Sequence, residues 1–104
     1  MALPAEISVH LPALRELARR YGLHSVAVVG SAAAGDFDPM RSDLDLLVDF
    51  GEYTDNLGMR AVHFYLDAQD LFGRRVDVIS THGIRNPTWR AIHEAIQIPI
   101  YVAA

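Results

Sequence analysis

The stretch VAVVGSAAAGDFDPMRSDLDLLVD, Val26 to Asp49, decides the fold of this 104-residue chain. It opens with a continuous apolar run, Val26 to Val29, which predicts a strand covered on both faces. Ser31 is predicted to cap a brief helix, Ala32 to Ala34, which Gly35 ends. The sequence therefore predicts a strand, a tight turn and a helix start that suit phosphate binding, and then a second strand that suits metal binding.

The second strand of this stretch, Asp43 to Phe50, alternates between apolar and mostly acidic side chains. Asp43 and Asp45 therefore share one face, about 6.6 Å apart along the strand at roughly 3.3 Å per residue. Asp77 lies in a further alternating strand, Arg75 to Ile79, and points away from the valines on either side of it. If the two strands pair, the three carboxylates converge on the face of the sheet that the apolar residues do not use.

Three carboxylates this close repel one another unless a cation lies among them. Oxygen-only ligands select Mg²⁺ or Mn²⁺ rather than zinc, and two such ions about 3.5–4 Å apart would stabilise an in-line phosphoryl displacement. Gly30 lets the backbone approach a phosphate, and Ser31 lies at a helix start that attracts anions. A triphosphate would then place its β- and γ-phosphates on Ser31 and its α-phosphorus towards the metals.

Each of these signals also has a plain structural explanation. A Gly-Ser pair after a strand is usually only a turn, and Asp77 between two valines also fits a solvated edge position. Asp-x-Asp on a strand is a rarer pattern, because Asp disfavours strands. Arg74 and Arg75 are either solvated charges or contacts to a phosphate or an acidic partner. The Gly-Ser pair and the acidic residues follow one another in this order, and the acidic residues are predicted on the same face of their strands. Together these two features favour a catalytic site.

The rest of the chain is predicted to supply the scaffold. The predicted segments are an extended or frayed N-terminus (Met1–Ser8), helices over Leu11–Tyr21, Leu57–Phe72 and Thr88–Ile96, and an edge strand or docked tail over Ile98–Val102. Gly73 is predicted to end the middle helix. This order predicts one domain over residues 1–104, of α/β (α+β) class, with a small mixed β-sheet and helices mainly on one face.

Composition argues against several classes of function. The net charge is −4 and every basic residue is arginine, so the chain lacks the basic footprint of non-specific DNA binding. It has no cysteine, which excludes a disulfide framework and a thiolate metal site. It shows neither a signal-peptide pattern nor an apolar run of the roughly 20 residues that cross a membrane. These features predict a soluble, cytoplasmic protein.

Taken together, three motifs resemble those of a known superfamily. Gly30-Ser31 followed by Asp43-Leu44-Asp45, the segment GRRVDVIS (Gly73 to Ser80) and the ending IPIY (Ile98 to Tyr101) are similar to the signature of the DNA polymerase β nucleotidyltransferase superfamily. The pattern resembles its minimal nucleotidyltransferases, the MNT or MntA-like proteins. The resemblance spans about Leu14 to Tyr101 and implies a polymerase-β-like nucleotidyltransferase fold.

The resemblance also implies a reaction and a partner. Asp43 and Asp45 would bind the metals, and Asp77 would complete the metal site and help to deprotonate the attacking hydroxyl. Gly30 and Ser31 would contact the nucleotide phosphates. The expected cofactors are two Mg²⁺ ions, or Mn²⁺, with ATP as substrate. The expected partner is a HEPN-domain toxin that receives AMP on a tyrosine, with the chain as a type VII-like antitoxin. Separately, the high apolar content of so small a domain predicts a homodimer or a hetero-oligomer.

Two departures from the family pattern leave alternatives open. The spacer from Ala32 to Ser42 has eleven residues, one more than is usual in the family, and Ala34 replaces an arginine that many members carry. One alternative is therefore a weakly active or inactive binding module that neutralises its partner by stoichiometric association. Another is a transferase for a small molecule such as an aminoglycoside, which would need a substrate-binding domain from a partner chain.

Overall fold

A mixed β-sheet forms the centre of the molecule. Within residues 3–52, 54–81 and 96–104, which the computed structural model describes, the sheet has four strands. They are β1 (Ser25–Val29), β2 (Leu44–Asp49), β3 (Val76–Ser80) and β4 (Ile98–Val102), in the spatial order β3-β2-β1-β4. β1 is antiparallel to β2 and to β4, whereas β2 and β3 are parallel. The predicted mixed sheet is confirmed, and so is the edge position of Ile98–Val102.

Helices cover one face of this sheet, as predicted. They are α1 (Ala5–Ser8), α2 (Leu11–Arg20), α3 (Gly30–Ala34) and α4 (Leu57–Phe72). α2 and α4 pack against each other over the sheet. α4 also forms the crossover that two parallel neighbouring strands require, because a hairpin turn cannot join them. It ends at Gly73, whose φ of +60° places it in the left-handed region.

Alternation along the strands directs one set of side chains into the core. In β2, Leu44, Leu46 and Val48 are fully buried, and they meet Phe64 from α4 and Leu14 from α2 in one apolar cluster. The intervening Asp45 and Asp49 remain half-buried on the opposite face. The acidic residues are therefore kept on the face opposite the helix-covered core by the two-residue period of the strand.

Two local predictions were wrong. The N-terminal segment predicted as extended forms a helical turn at α1, because Ile7 is fully buried in the core. The amides of Ile7 and Ser8 both donate to the carbonyl of Pro4, at 2.9 Å each. Ser31 is not the N-cap of α3, since the helix begins one residue earlier at Gly30 and its cap residue makes no side-chain hydrogen bond. Gly30 has a φ of +69°, and the chain turns there, directly at the end of β1.

The remaining segments agree with the sequence where they are described. β2 and β3 differ from their predicted bounds by only a residue at each end. The helix predicted for Thr88–Ile96 lies, apart from Ile96, outside the described residues. No helix in the described part of the chain combines the length and the apolar character needed to cross a lipid bilayer.

Candidate active site

One end of the sheet brings the predicted site residues close together. The antiparallel register places Val29, the last residue of β1, opposite Asp45 near the start of β2. The parallel register places Asp45 opposite Asp77. Since neighbouring strands lie about 4.8 Å apart, these two carboxylates emerge side by side from one face. Gly30 and Ser31 follow Val29 directly and so lie at the same end.

Asp45 occupies the space beside Gly30 that a side chain would need. An ideal β-carbon built on Gly30 would lie 3.1 Å from Cγ of Asp45 and would collide with its Oδ2. The φ of +69° at Gly30 independently disfavours any residue with a side chain. The Asp45 carboxylate therefore lies directly against the backbone of Gly30, at the point where β1 turns into α3.

Asp43 precedes β2 and is engaged by an arginine. Nε of Arg75 lies 3.6 Å from Oδ2 of Asp43. The amide of Leu44 donates to the carbonyl of Arg75 at 3.2 Å, which fixes the starts of β2 and β3 beside each other. The sequence left open whether Arg75 was solvated or contacted a phosphate or an acidic partner. Its side chain is 74% exposed and contacts an acidic residue of its own chain.

Ser31 lies in the first turn of α3, half-buried, next to Gly30. Its carbonyl accepts hydrogen bonds from the amides of Gly35 and Asp36, at 3.0 Å each, so its backbone closes the helix C-terminus. The long spacer continues as a compact turn in which the carbonyl of Asp38 accepts from the amide of Ser42 at 2.8 Å. The amide of Asp38 donates to Oγ of Ser42 at 2.9 Å. Local hydrogen bonds thus order the loop that leads into Asp43.

The donor set suits a hard divalent ion. Asp45 and Asp77 present carboxylate oxygens from adjacent positions, and the guanidinium of Arg75 shows that Asp43 already attracts a cation. In the side-chain positions seen here, no three Asp, Glu, His or Cys side chains among the described residues are arranged to hold an ion. The grouping of Asp43 with the other two around a metal therefore stays a prediction.

An open pocket of about 690 Å³ adjoins the two paired carboxylates. It lies along β3 and α4, and apolar side chains form most of its described wall. The lining residues are Asp45, Phe50, Ala61, Val62, Tyr65, Asp77, Val78, Ile79 and Ser80. Sequence reasoning missed the contribution of α4 to this wall, because the helix was read only for its core-facing side. In the sequence, the available signal was that Val62 is apolar but lies outside the positions assigned to the core; in the structure it is 49% exposed.

Several known proteins are similar to this chain in sequence and in fold. The family described as the nucleotidyltransferase domain matches residues 12–100, which is most of the chain. The chain belongs to this nucleotidyltransferase family. A protein adenylyltransferase, MntA, of Thermococcus cleftensis is 35% identical over 72 residues, which cover 69% of this chain and 70% of that protein. A candidate protein adenylyltransferase of Methanocaldococcus jannaschii is 37% identical over 71 residues, 68% of this chain and 69% of that one.

Solved structures agree with this assignment of the nucleotidyltransferase fold. A candidate minimal nucleotidyltransferase superposes with a TM-score of 0.77 at 33% identity, over 89% of this chain and 91% of that one. A more distant structure, the MNT antitoxin in complex with the tri-AMPylated HEPN toxin of Shewanella oneidensis, gives a TM-score of 0.66 at 12% identity. It covers 92% of this chain and 72% of that one, and it shows likeness of fold alone. The chain is thus a minimal nucleotidyltransferase-like enzyme, as the sequence motifs indicated.

Proposed function

We propose that this nucleotidyltransferase transfers AMP from ATP to a tyrosine hydroxyl of a HEPN-type toxin and so acts as its antitoxin. The pairing of Asp45 with Asp77 beside Gly30 carries this conclusion, since it aligns two acidic groups with a turn suited to phosphate. Two relatives at 35% and 37% identity are named as a protein adenylyltransferase and a candidate one. A structure with the same fold contains an AMPylated HEPN toxin, which supports the choice of partner.

Each site residue has a role in this reaction. Asp43 and Asp45 would hold two Mg²⁺ ions, or Mn²⁺, and Asp77 would complete the site. When bound, the ions would neutralise charge on the triphosphate and favour ionisation of the acceptor hydroxyl. Gly30 allows a phosphate to approach the backbone closely, and Ser31 offers a hydroxyl beside it.

The chemical step is an in-line displacement at phosphorus. The acceptor hydroxyl oxygen forms a bond to the α-phosphorus of ATP, while the bond from that phosphorus to the oxygen bridging to the β-phosphate breaks. Pyrophosphate leaves with the electron pair of the broken bond. The hydroxyl proton passes to the carboxylate of Asp77 and then to solvent.

The first prediction concerns Asp43 and Asp45, the two carboxylates proposed to hold the metal ions. Incubation of the chain with α-³²P-labelled ATP, Mg²⁺ and a cognate HEPN protein should label the HEPN protein. The Asp43→Asn/Asp45→Asn variant should reduce labelling by about two orders of magnitude or more, because the transition-state charge loses its stabilisation. The control is Asp55→Asn/Asp70→Asn, which removes the same charge from two exposed positions and should label normally. Equal labelling by the two double variants would contradict the assignment.

A second candidate function is neutralisation by stoichiometric binding alone. The contact of Asp43 with Arg75, and an alanine at position 34, favour this alternative. It predicts that the Asp43→Asn/Asp45→Asn protein still silences the toxin in a growth-rescue assay. Adenylyl transfer requires the opposite result, with rescue lost in this variant and kept in the Asp55→Asn/Asp70→Asn control.

A further inference from the structure

The starts of β2 and β3 bring four charged residues to the same end of the sheet. Asp45 is opposite Asp77 in the parallel register, and two residues earlier Asp43 meets Arg75. Asp45 and Asp77 lie within the strands and point to the same face. Asp43 and Arg75 directly precede Leu44 and Val76, the first residues of the two strands. Three carboxylates and one guanidinium therefore lie at the same end of the two strands, in a patch of four charged residues.

The cation lowers the electrostatic cost of this arrangement. Neighbouring carboxylates repel one another, and a cation beside one of them reduces that repulsion. Arg75 makes an ion pair with Asp43 in this patch. The backbone of Arg75 is fixed by its carbonyl, which accepts a hydrogen bond from the amide of Leu44 at 3.2 Å. This pairing places the Arg75 side chain within reach of Asp43.

We propose that Arg75 is the resident counter-ion of Asp43, holding its carboxylate in the metal-free enzyme and releasing it when a divalent ion binds. Metal binding is then an exchange of one cation for another. This role depends on the proposed function, because it takes Asp43 to be a metal ligand. It makes Arg75 a positioning residue that sets the metal concentration at which the site fills.

The strength of the pair suits an exchangeable contact. It is a single contact at 3.6 Å, and the side chains of Arg75 and Asp43 are 74% and 36% exposed. Exposed pairs of this kind change an equilibrium by no more than a factor of about five. Removing the arginine should therefore tighten metal binding by about two- to five-fold.

Arg74 provides a matched control. Its guanidinium lies over the ring of Phe37, 4.9 Å from the centroid, and donates to the carbonyl of Pro39 at 3.4 Å. The variants Arg75→Gln and Arg74→Gln remove the same charge from adjacent positions. Mn²⁺ is titrated calorimetrically into each nucleotide-free protein. Arg75→Gln should bind Mn²⁺ about two- to five-fold more tightly than wild type, and Arg74→Gln should change the affinity less than two-fold.

A double-mutant cycle links the effect to its partner. In an Asp43→Asn background, Arg75→Gln should no longer change Mn²⁺ affinity. If Arg75→Gln fails to fold, Arg75→Met keeps the aliphatic stem without the charge and takes its place. Unchanged or weaker binding by the position-75 variant, or an equal gain in Arg74→Gln, overturns the counter-ion role alone. Wild type that binds no Mn²⁺ overturns both this role and the proposed metal site.

Discussion

Gly30 is the residue on which the geometry of the site depends most. Its φ of +69° and the position of Asp45 make separate demands for a residue without a side chain. The positive φ would strain any residue with a side chain, which lowers the stability of the folded state. The Asp45 carboxylate occupies the space of a β-carbon, so a side chain at position 30 would displace that carboxylate. The two effects can be separated, because the chain has other glycines with similar backbone angles.

The second prediction separates these effects. Gly30→Ala should lower the free energy of unfolding by about 1–2 kcal/mol, because alanine is strained in the left-handed region. It should also weaken Mn²⁺ binding by about ten-fold or more, since the new methyl group displaces the Asp45 carboxylate. Gly73→Ala has a φ of +60° with no atom within 4 Å of the added carbon, and should show the stability loss alone. Urea unfolding and Mn²⁺ calorimetry measure the two effects.

Equal Mn²⁺ affinities for Gly30→Ala and Gly73→Ala would show that Asp45 does not bind the ion. Equal stabilities with unequal affinities would agree with the structure, because the backbone cost is common to both positions. The comparison therefore tests the contact between Asp45 and Gly30 without relying on catalysis.

At the scale of elements, α4 positions the site by linking β2 to β3. Several contacts attach it to the C-terminal end of α2. The Tyr21 hydroxyl donates a short hydrogen bond to Asp67, and the Tyr21 ring meets Phe64 edge-on with centroids 6.4 Å apart. Nη1 of Arg60 donates to the carbonyl of Tyr21 at 3.0 Å. The crossover between the two acid-bearing strands is thus fixed to the rest of the helical layer.

The third prediction uses the pH dependence of this attachment. The hydrogen bond to Asp67 raises the pKa of Tyr21 above its ordinary value, with burial and the Asp67 charge adding to it. A raised pKa means that its stabilisation is complete below about pH 10 and is lost as pH rises through the folded-state pKa. Tyr21→Phe should therefore be less stable than wild type at pH 8, and the difference should shrink above pH 10.

Urea unfolding across pH 8 to 11 checks this, and the absence of lysine keeps other titrations in that range few. In an Asp67→Ala background, the Tyr21→Phe substitution should give a difference that no longer varies with pH in this way. If the difference in the free energy of unfolding between wild type and Tyr21→Phe widened above pH 10, the hydrogen bond to Asp67 would not be the source of that difference.

The sequence predicted most elements because their signals are local. Helix α4 was predicted at its observed bounds, since its apolar spacing and Gly73 define both ends. The strands around Asp45 and Asp77 were predicted correctly because the alternation of side chains along them is also a local signal. Two local features were missed. Ile7 forms part of a helical turn because the core buries it, and Ser31 does not cap α3 because Gly30 turns the chain first.

The candidate site was predictable only in part. Strand parity gave the face of each carboxylate, but the opposition of Asp45 and Asp77 depends on a parallel register that no local pattern contains. The contact between Arg75 and Asp43 depends on the same register. The sequence could therefore name the charged residues but could not decide which of them meet.

At the scale of the whole molecule, the apolar core and the candidate site lie on opposite faces of the sheet. The helix-covered face holds the apolar cluster, in which Phe64 is fully buried, and the opposite face carries the carboxylates. Substitutions on one face should therefore affect folding with little direct effect on the site, and the reverse should hold for the acidic face.

The fourth prediction tests the core face. Phe64→Ala should lower the free energy of unfolding by about 3–5 kcal/mol, because it removes a buried ring and leaves a cavity. That is a large fraction of the roughly 5–15 kcal/mol that stabilises a typical domain. Leu66→Ala, two residues along the same helix and 49% exposed, should change stability far less, about 0.5 kcal/mol. Comparable losses in urea unfolding would show that α4 is oriented differently.

The bare turn after β1 also has a genetic consequence. All glycine codons begin with two guanines, so any base change at either position replaces Gly30 with a residue that has a side chain, or ends the chain. A replacement there would weaken metal binding at the proposed site while leaving the apolar layer nearly intact. Under the proposed function, a single nucleotide change could therefore give a descendant that keeps the fold and loses adenylyl transfer. We expect such descendants wherever binding of the proposed partner is selected more strongly than its modification.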